Sequence, residues 1–408
     1  MTMRDPGATK GSSWSDADPV VVVAGARTAI GSYGGVFKAT PAHELAAAAI
    51  GEALRRADVE LSEVDEVVLG CIGQVGPDIF NARRAALKAG IPVSTPAYNV
   101  NRLCGSGLQA IWAGATELMA GQAQIVVAGG DENMSTQPFL DYRARDGYRL
   151  GNRSVIDGTL SLVTDPWGNY PMGITAEIVA ERFHVSREEQ DAFAWQSQVR
   201  AGRALEQRLF DPEIVPVLVR DGKQERLAAQ DEHPRPETTP ASLAALRPAF
   251  KEGGTVTAGN SSGINDAGAA VILMRESVAR ERGRKPLARL LGFSKAAVEP
   301  EIMGYAPTYA VGRLLNASGL RSDDLGVVEV NEAFAAQAVA VIRDAGLDPN
   351  RVNPNGGAIA LGHPVGATGA ILVLKLLYEL QRSRAEWGVV TMCIGGGQAL
   401  AALFQLCV

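Results

Sequence analysis

The chain has 408 residues, 46% of them hydrophobic and 21% charged, with a formal net charge of −6. That length exceeds one hydrophobic core and predicts two or three packed domains, while the acidic balance argues against nucleic acid, whose phosphates need a clustered basic excess. Nothing in the composition calls for a membrane, and four scattered cysteines offer neither a disulfide framework nor zinc-ligand spacing; reduced thiols in a cytoplasmic protein fit best.

Residues 1–19, rich in Ser, Asp and Gly without an apolar core, read as a disordered tail and not a targeting peptide. The β-branched run 20–24 predicts a buried strand. After it come an alanine-rich helix over 43–57, a second buried strand over 64–69, a helix over 81–89 and a short strand over 96–100. Cys104 then opens a helix running to about residue 120, and a strand over 125–128 is closed by Gly129-Gly-Asp-Glu-Asn-Met-Ser. Alternating strands and helices imply a mainly parallel, covered sheet.

Between residues 135 and 260 strand-like runs thin out and charges, aromatics and prolines accumulate, which predicts an inserted, mostly helical domain. Ser186-Arg-Glu-Glu has capping-box spacing before a helix over 190–207, and 221–248 reads as an exposed excursion. His184 and His233 lie in this insert without partners at metal spacing, so surface or packing roles are expected. The alternation resumes at 267–274 and repeats: Asp65-Glu-Val-Val-Leu-Gly-Cys-Ile is echoed by Leu325-Gly-Val-Val-Glu-Val-Asn-Glu, and the turn, helix and strand of 105–130 by those of 362–397. Two similar halves follow, 20–134 completed by 261–283, and 284–408.

The chemistry-bearing residues sit in loops. Cys104, in Asn101-Arg-Leu-Cys-Gly-Ser-Gly, stands at a helix start, where unpaired N–H groups favour a thiolate and hence a nucleophile. In the second half three loops stand out: Asn331-Glu-Ala-Phe, the glycine-rich stretch 355–369 around His363, and Cys393-Ile-Gly-Gly-Gly-Gln at the end of the last long strand. Carboxyl ends of strands are where open α/β sheets bind ligands. Taken singly, each residue has a plainer role: Cys104 and Cys393 as small buried hydrophobes, His363 as a loop stabiliser, Glu332 as an arginine's partner, Asn331 as the cap of the next helix. Their combination is what those roles do not explain.

The motifs around Cys104, Gly129, Gly253-Gly-Thr-Val-Thr-Ala-Gly-Asn-Ser-Ser-Gly, Asn331, His363 and Cys393 resemble the thiolase family, in order across 20–406. The resemblance implies a five-layered α/β/α/β/α fold of two similar halves, with a loop domain over the active site, in a dimer or a dimer of dimers. It makes Cys104 the acylated nucleophile, His363 its base and Cys393 the second acid/base. Asn331 would hold a water in one oxyanion hole, and the N–H groups of Cys104 and Gly395 would form another. Ser262 and Ala258 match pantetheine contacts, Phe250 a tunnel wall, Arg235 a nucleotide-phosphate partner and Met303 the acyl pocket.

The implied reaction exchanges acetyl-CoA plus acyl-CoA with CoA plus 3-oxoacyl-CoA through acyl-Cys104. Coenzyme A is substrate and product, and no resident cofactor or metal is required. Two rivals share the ancestry. A decarboxylating ketosynthase pairs its cysteine with two histidines, whereas here Asn331 and Cys393 take those places; a non-catalytic acyl-CoA or lipid binder would have lost Cys104 or His363. One position departs from the short-chain biosynthetic pattern: Pro171 stands where a histidine often precedes Met-Gly-x-Thr-Ala-Glu, so a hydrogen bond near the acyl pocket is lost and strict acetoacetyl-CoA specificity does not follow.

Overall fold

The computed structural model describes residues 17–221 and 224–407; residues 1–16 of the expected tail lie outside the described residues. The chain is anchored before its first strand. The Asp18 carboxylate accepts from Ser277 N at 2.7 Å and Ser277 Oγ at 2.6 Å, and Pro19 O accepts from Glu276 N at 2.9 Å.

The first half runs β1 (Val20–Arg27), α1 (Ala42–Ala57), β2 (Glu66–Gly70), α2 (Asn81–Lys88), β3 (Ala97–Val100), α3 (Ser106–Met119) and β4 (Ile125–Asn133). The glycine motif at 129 does not close β4 as expected. Gly129 pairs with Leu69 on one side and Ala270 on the other, and the β5 ladder carries the strand on to Asn133 after the β2 ladder ends at Gly130. The insert contributes α4 (Gly173–Arg182) and α5 (Arg187–Glu206), and β5 (Asn265–Arg275) closes the half. The second half repeats the plan with β6 (Ala288–Ala297), α6 (Ala306–Ser318), β7 (Val327–Val330), α7 (Ala335–Asp344), α8 (Val365–Ser383), β8 (Trp387–Ile394) and β9 (Gln398–Leu406). β9 corrects the expectation that the Cys393 strand is the last long one. Where the first half has β3, the second has a single parallel bridge from Val328 to Val352.

The sheet order is β7-β8-β9-β6-β1-β5-β4-β2-β3. Only β7/β8, β2/β3 and β2/β4 pair in parallel; the other neighbours along this path are antiparallel. The expected mainly parallel sheet is therefore mixed. Each half sets one reversed strand, β5 or β9, between strands that share a direction, because β5 and β9 enter from loops and not from crossover helices.

Three apolar clusters mark the layers. α1 and α2 cover one face of the first half, α6 and α7 cover one face of the second, and α3 and α8 lie between the two halves of the sheet in a shared core with β1, β4, β5, β8 and β9. This is the five-layered arrangement. The two central helices cross at glycine: a Cβ on Gly369 would lie 2.2 Å from Leu108 N, and one on Gly107 2.8 Å from Gly366 O. No described helix is long and apolar enough to cross a membrane.

The capping box forms as predicted, with Glu189 N donating to Ser186 Oγ at 3.2 Å and Ser186 N donating to Glu189 Oε2 at 2.7 Å. Besides its helices, the insert holds three short two-stranded ribbons among the described residues. The stretch after residue 221 is not wholly an exposed excursion. Asp231 is buried and takes both terminal nitrogens of Arg27 at 2.8 and 3.0 Å, while Arg27 Nε meets Glu213 at 2.9 Å. Sequestering these charges in an ion-pair cluster ties the insert to the end of β1, which charge content alone does not reveal.

Gly369→Ala should force α3 and α8 apart and cost about 1–3 kcal/mol. Urea unfolding measures it, and an unchanged midpoint would contradict the close crossing.

Candidate active site

The turn before α3 is built by short polar side chains. Asn101 Oδ1 accepts from Leu103 N at 3.1 Å, and Ser106 Oγ donates to Leu103 O at 2.6 Å while accepting from Arg102 N at 2.9 Å. Leu103 is held at φ 47°, a left-handed conformation that costs a non-glycine residue about 1–3 kcal/mol and collects at functional sites. Cys104 follows it, just outside the helix, whose N-cap is Gly105. Its side chain packs against the Ile72, Met134 and Val365 cluster.

Burial pushes the Cys104 thiol up to about 11; the N–H groups of Gly395 and of Cys104 itself pull the other way, and Glu132 adds to the rise. The expected thiolate is therefore not the resting form. A helix N-terminus supplies about 0.3–1 kcal/mol, less than one pKa unit at about 1.4 kcal/mol each, whereas desolvation moves buried groups by up to about 3–5 units. Desolvation wins.

His363 precedes α8. Its N–H donates to Asn265 Oδ1 at 2.9 Å, and its Nδ1 lies 2.7 Å from Thr368 Oγ1. The Thr368 hydroxyl donates to Pro364 O at 2.9 Å, so it accepts from Nδ1–H, which leaves Nε2 as the basic nitrogen. Burial lowers this imidazole to about 4, so it is neutral at pH 7, with the Nε2 lone pair unprotonated. Nε2 lies 3.5 Å from Asn331 Nδ2. Asn331 is fully buried, and its Oδ1 has no hydrogen-bond partner among the described residues.

Asn331 does not cap α7, whose N-cap is Phe334. Its O instead accepts from Gln337 Nε2 at 3.1 Å. Among the described residues Glu332 makes no salt bridge to an arginine, although Arg200 lies within its electrostatic reach. Its carboxylate accepts from Ser197 Oγ and Asn353 Nδ2, each at 2.7 Å, and from Ile359 N at 3.2 Å, joining α5 of the insert to the loop that leads to His363.

Cys393 is fully buried near the end of β8. Burial first, and the nearby Cys104 second, push its thiol well above the ordinary range. Ala176, Val256, Met303 and Phe334 pack around it with Met172 and Phe250, and Phe250 meets Phe334 edge-on at 6.1 Å. The expected pocket residues Phe250 and Met303 thus converge on Cys393. Ser262 N donates to Ala333 O at 3.0 Å beside the Asn331 loop. Ala258 and Arg235 are exposed on the insert, and Arg235 N donates to Gln198 Oε1 at 2.8 Å. Thr368 and Asn265, which orient His363, were not read from the sequence. Thr368, five residues after His363 and facing back from the first turns of α8, carried the one signal that spacing offered.

Family models described as "Thiolase, N-terminal domain" and "Thiolase, C-terminal domain" match residues 20–277 and 284–406. The chain belongs to the thiolase family. Among family members, it is 47% identical over 388 residues to the beta-ketothiolase BktB of Cupriavidus necator, covering 95% of this chain and 98% of that protein. It is 48% identical to an acetyl-CoA acetyltransferase of Chromobacterium violaceum, covering 94% and 98%. Among solved structures, the acetyl-CoA acetyltransferase of Bacillus anthracis superposes with a TM-score of 0.94 at 40% identity, covering 98% of this chain and 100% of that one. Human mitochondrial 3-ketoacyl-CoA thiolase in complex with CoA superposes with a TM-score of 0.91 at 41% identity, covering 96% and 98%.

A thiol near 11 gives a direct test. Iodoacetamide alkylation of Cys104 through its thiolate should climb about tenfold per pH unit from 7 to 10, with no levelling at 8.5. Peptide mass spectrometry follows it, and a plateau near neutrality would mean a lowered thiol.

Proposed function

We infer that the chain catalyses the reversible reaction acetyl-CoA + acyl-CoA = CoA + 3-oxoacyl-CoA in two half-reactions through acyl-Cys104. The observation that carries the reading is convergence: Cys104 rests on one apolar cluster with Val365 and Ile264, which flank and bridge to His363, Cys393 lies next to Cys104, and the His363 imidazole faces Asn331. His363 Nε2 takes the Cys104 proton as Sγ attacks the thioester carbon. The C–S bond to CoA breaks, and Cys393 gives its proton to the departing CoA thiolate. The Cys393 thiolate then removes the α-proton of acetyl-CoA, and the enolate attacks acyl-Cys104. Cys104 leaves as thiolate and regains its proton from His363. Sulfur suits the nucleophile because exchange between two thioesters is nearly balanced in energy.

The N–H groups of Gly395 and Cys104 support one oxyanion hole and the Asn331 and His363 pair the other; each donor is worth on the order of 10²–10³ in rate. Every step transfers a proton or an acyl group and none is a net oxidation or reduction, so the proposal includes no resident cofactor. Ser262 and Ala258 serve the pantetheine chain and Arg235 the nucleotide phosphate. Met172 and Met303, flexible thioethers in the pocket, support acceptance of more than one acyl length. Acetyl-CoA and acyl-CoA are the partners, in a reducing cytoplasm that keeps both site cysteines as thiols.

Labelled acetyl-CoA should leave its acetyl group on Cys104 after acid quench, and absence of label there would overturn the reading. Cys393→Ala should still acylate yet lose about 10²–10⁴ in condensation rate.

The proposal extends to a homo-oligomer, a dimer or a homotetramer. β3 is an edge strand, and Tyr98 on it is exposed with Val75, Ile79 and Phe80 nearby in the chain, while Phe139, Tyr142 and Tyr148 are exposed on the insert. Unpaired edges and large apolar patches seek a partner. Light scattering should give two or four times the 42.9 kDa of one chain, and Ile79→Asp with Phe80→Asp should lower the mass; a wild-type monomer would contradict it.

A further inference from the structure

Glu132 is fully buried in β4 and has no part in the proton transfers above. Its carboxylate gathers backbone donors from two separate segments. Gly73 N donates to Oε1 at 3.0 Å, while Ile72 N and Gly366 N donate to Oε2 at 3.1 and 3.0 Å. Ile72 and Gly73 follow β2; Gly366 lies in the first turn of α8, three residues after His363. The side chains of Ile72 and Val365, beside these donors, form with Met134 the cluster on which Cys104 rests, and Ile264, which bridges to His363, packs there as well. No side chain fits at 366, where a Cβ would lie 2.4 Å from Asp131 O and 2.8 Å from Glu132 Oε2.

We propose that Glu132 is a positioning residue: it clamps the loop after β2 to the start of α8 and so holds the His363 segment against the Cys104 turn. This rests on Cys104 as nucleophile and His363 as its base. A carboxylate accepting three N–H groups at a helix N-terminus is a favourable anion site. Burial raises Glu132 to about 7, against the pull of its three backbone donors. The titratable groups facing Glu132 are Asp131 on its own strand, Asp266 on β5 and Cys71 after β2, whose Sγ is 3.9 Å from Oε1. Besides Glu132, Cys393 faces Cys104.

The test uses the full chain as wild type, Glu132→Gln and Glu132→Asp. It reads kcat and KM for acetoacetyl-CoA thiolysis and acetyl label on Cys104. Glu132→Gln should lower kcat by about 10–10²-fold, as misplacement of a catalytic group does, with KM nearly unchanged. Glu132→Asp, which keeps the charge and shortens the clamp, should also lose kcat. A Glu132→Gln enzyme with wild-type kcat or a raised KM alone overturns the proposal. Should Glu132→Gln fail to fold, wild-type kcat in Glu132→Asp overturns it. Failure of the wild type to carry label on Cys104 would instead remove the reading on which the proposal rests.

Discussion

The structure depends on the crossing of α3 and α8 between the two halves of the sheet. Glycines at the crossing let the backbones approach closely, with Gly369 against Leu108 N and Gly107 against Gly366 O. Because the contact lies in the first turns of both helices, the segments that feed them meet as well, one carrying Cys104 and the other His363. A side chain at the crossing would spread the helices and separate the two groups even with both residues unchanged. The core between the half-sheets thus serves stability and catalysis with one set of contacts.

Burying the site has an electrostatic consequence. Water excluded from the cleft makes charge costly on every group there, so the Cys104 and Cys393 thiols rise and the His363 imidazole falls. The Cys104, Cys393 and His363 side chains rest neutral, and charge appears on them only as a proton moves or a thioester carbonyl is attacked. Donors fixed in such a place are worth more than in water. The Thr368 bond to Nδ1 matters for the same reason: it decides which imidazole nitrogen is free before any substrate arrives.

The insert is bound to the scaffold by buried charge at two places. Arg27 at the end of β1 meets Glu213 and Asp231, and Glu332, next to Asn331, meets Ser197 on α5 and Asn353. Removing one partner of a buried ion pair such as Arg27 with Asp231 typically costs about 3–5 kcal/mol, since the other charge is stranded. These links make the wall over the pocket, with Phe250 and Met172 in it, part of the same folded unit as the thiols.

Local pattern decided much of the chain. The β-branched run at β1, the alanine-rich α1, the Ser186 capping box and the repeated turn-helix-strand units follow from side-chain period and cap chemistry, which act over a few residues and can be read there. The motif loops at Cys104, Asn331, His363 and Cys393 were legible because chemically unusual residues stand in each, with glycines clustered around all but Asn331. Tertiary structure alone decided the mixed strand order, the continuation of β4 through its glycines and the existence of β9 as a long partner, because strand pairing depends on neighbours far away in sequence. It also decided that Cys104 rests as a thiol, that Glu332 serves Ser197 and Asn353, and that Asp231 is buried. Each of these turns on how much water surrounds a group, and hydration is a property of the assembled fold.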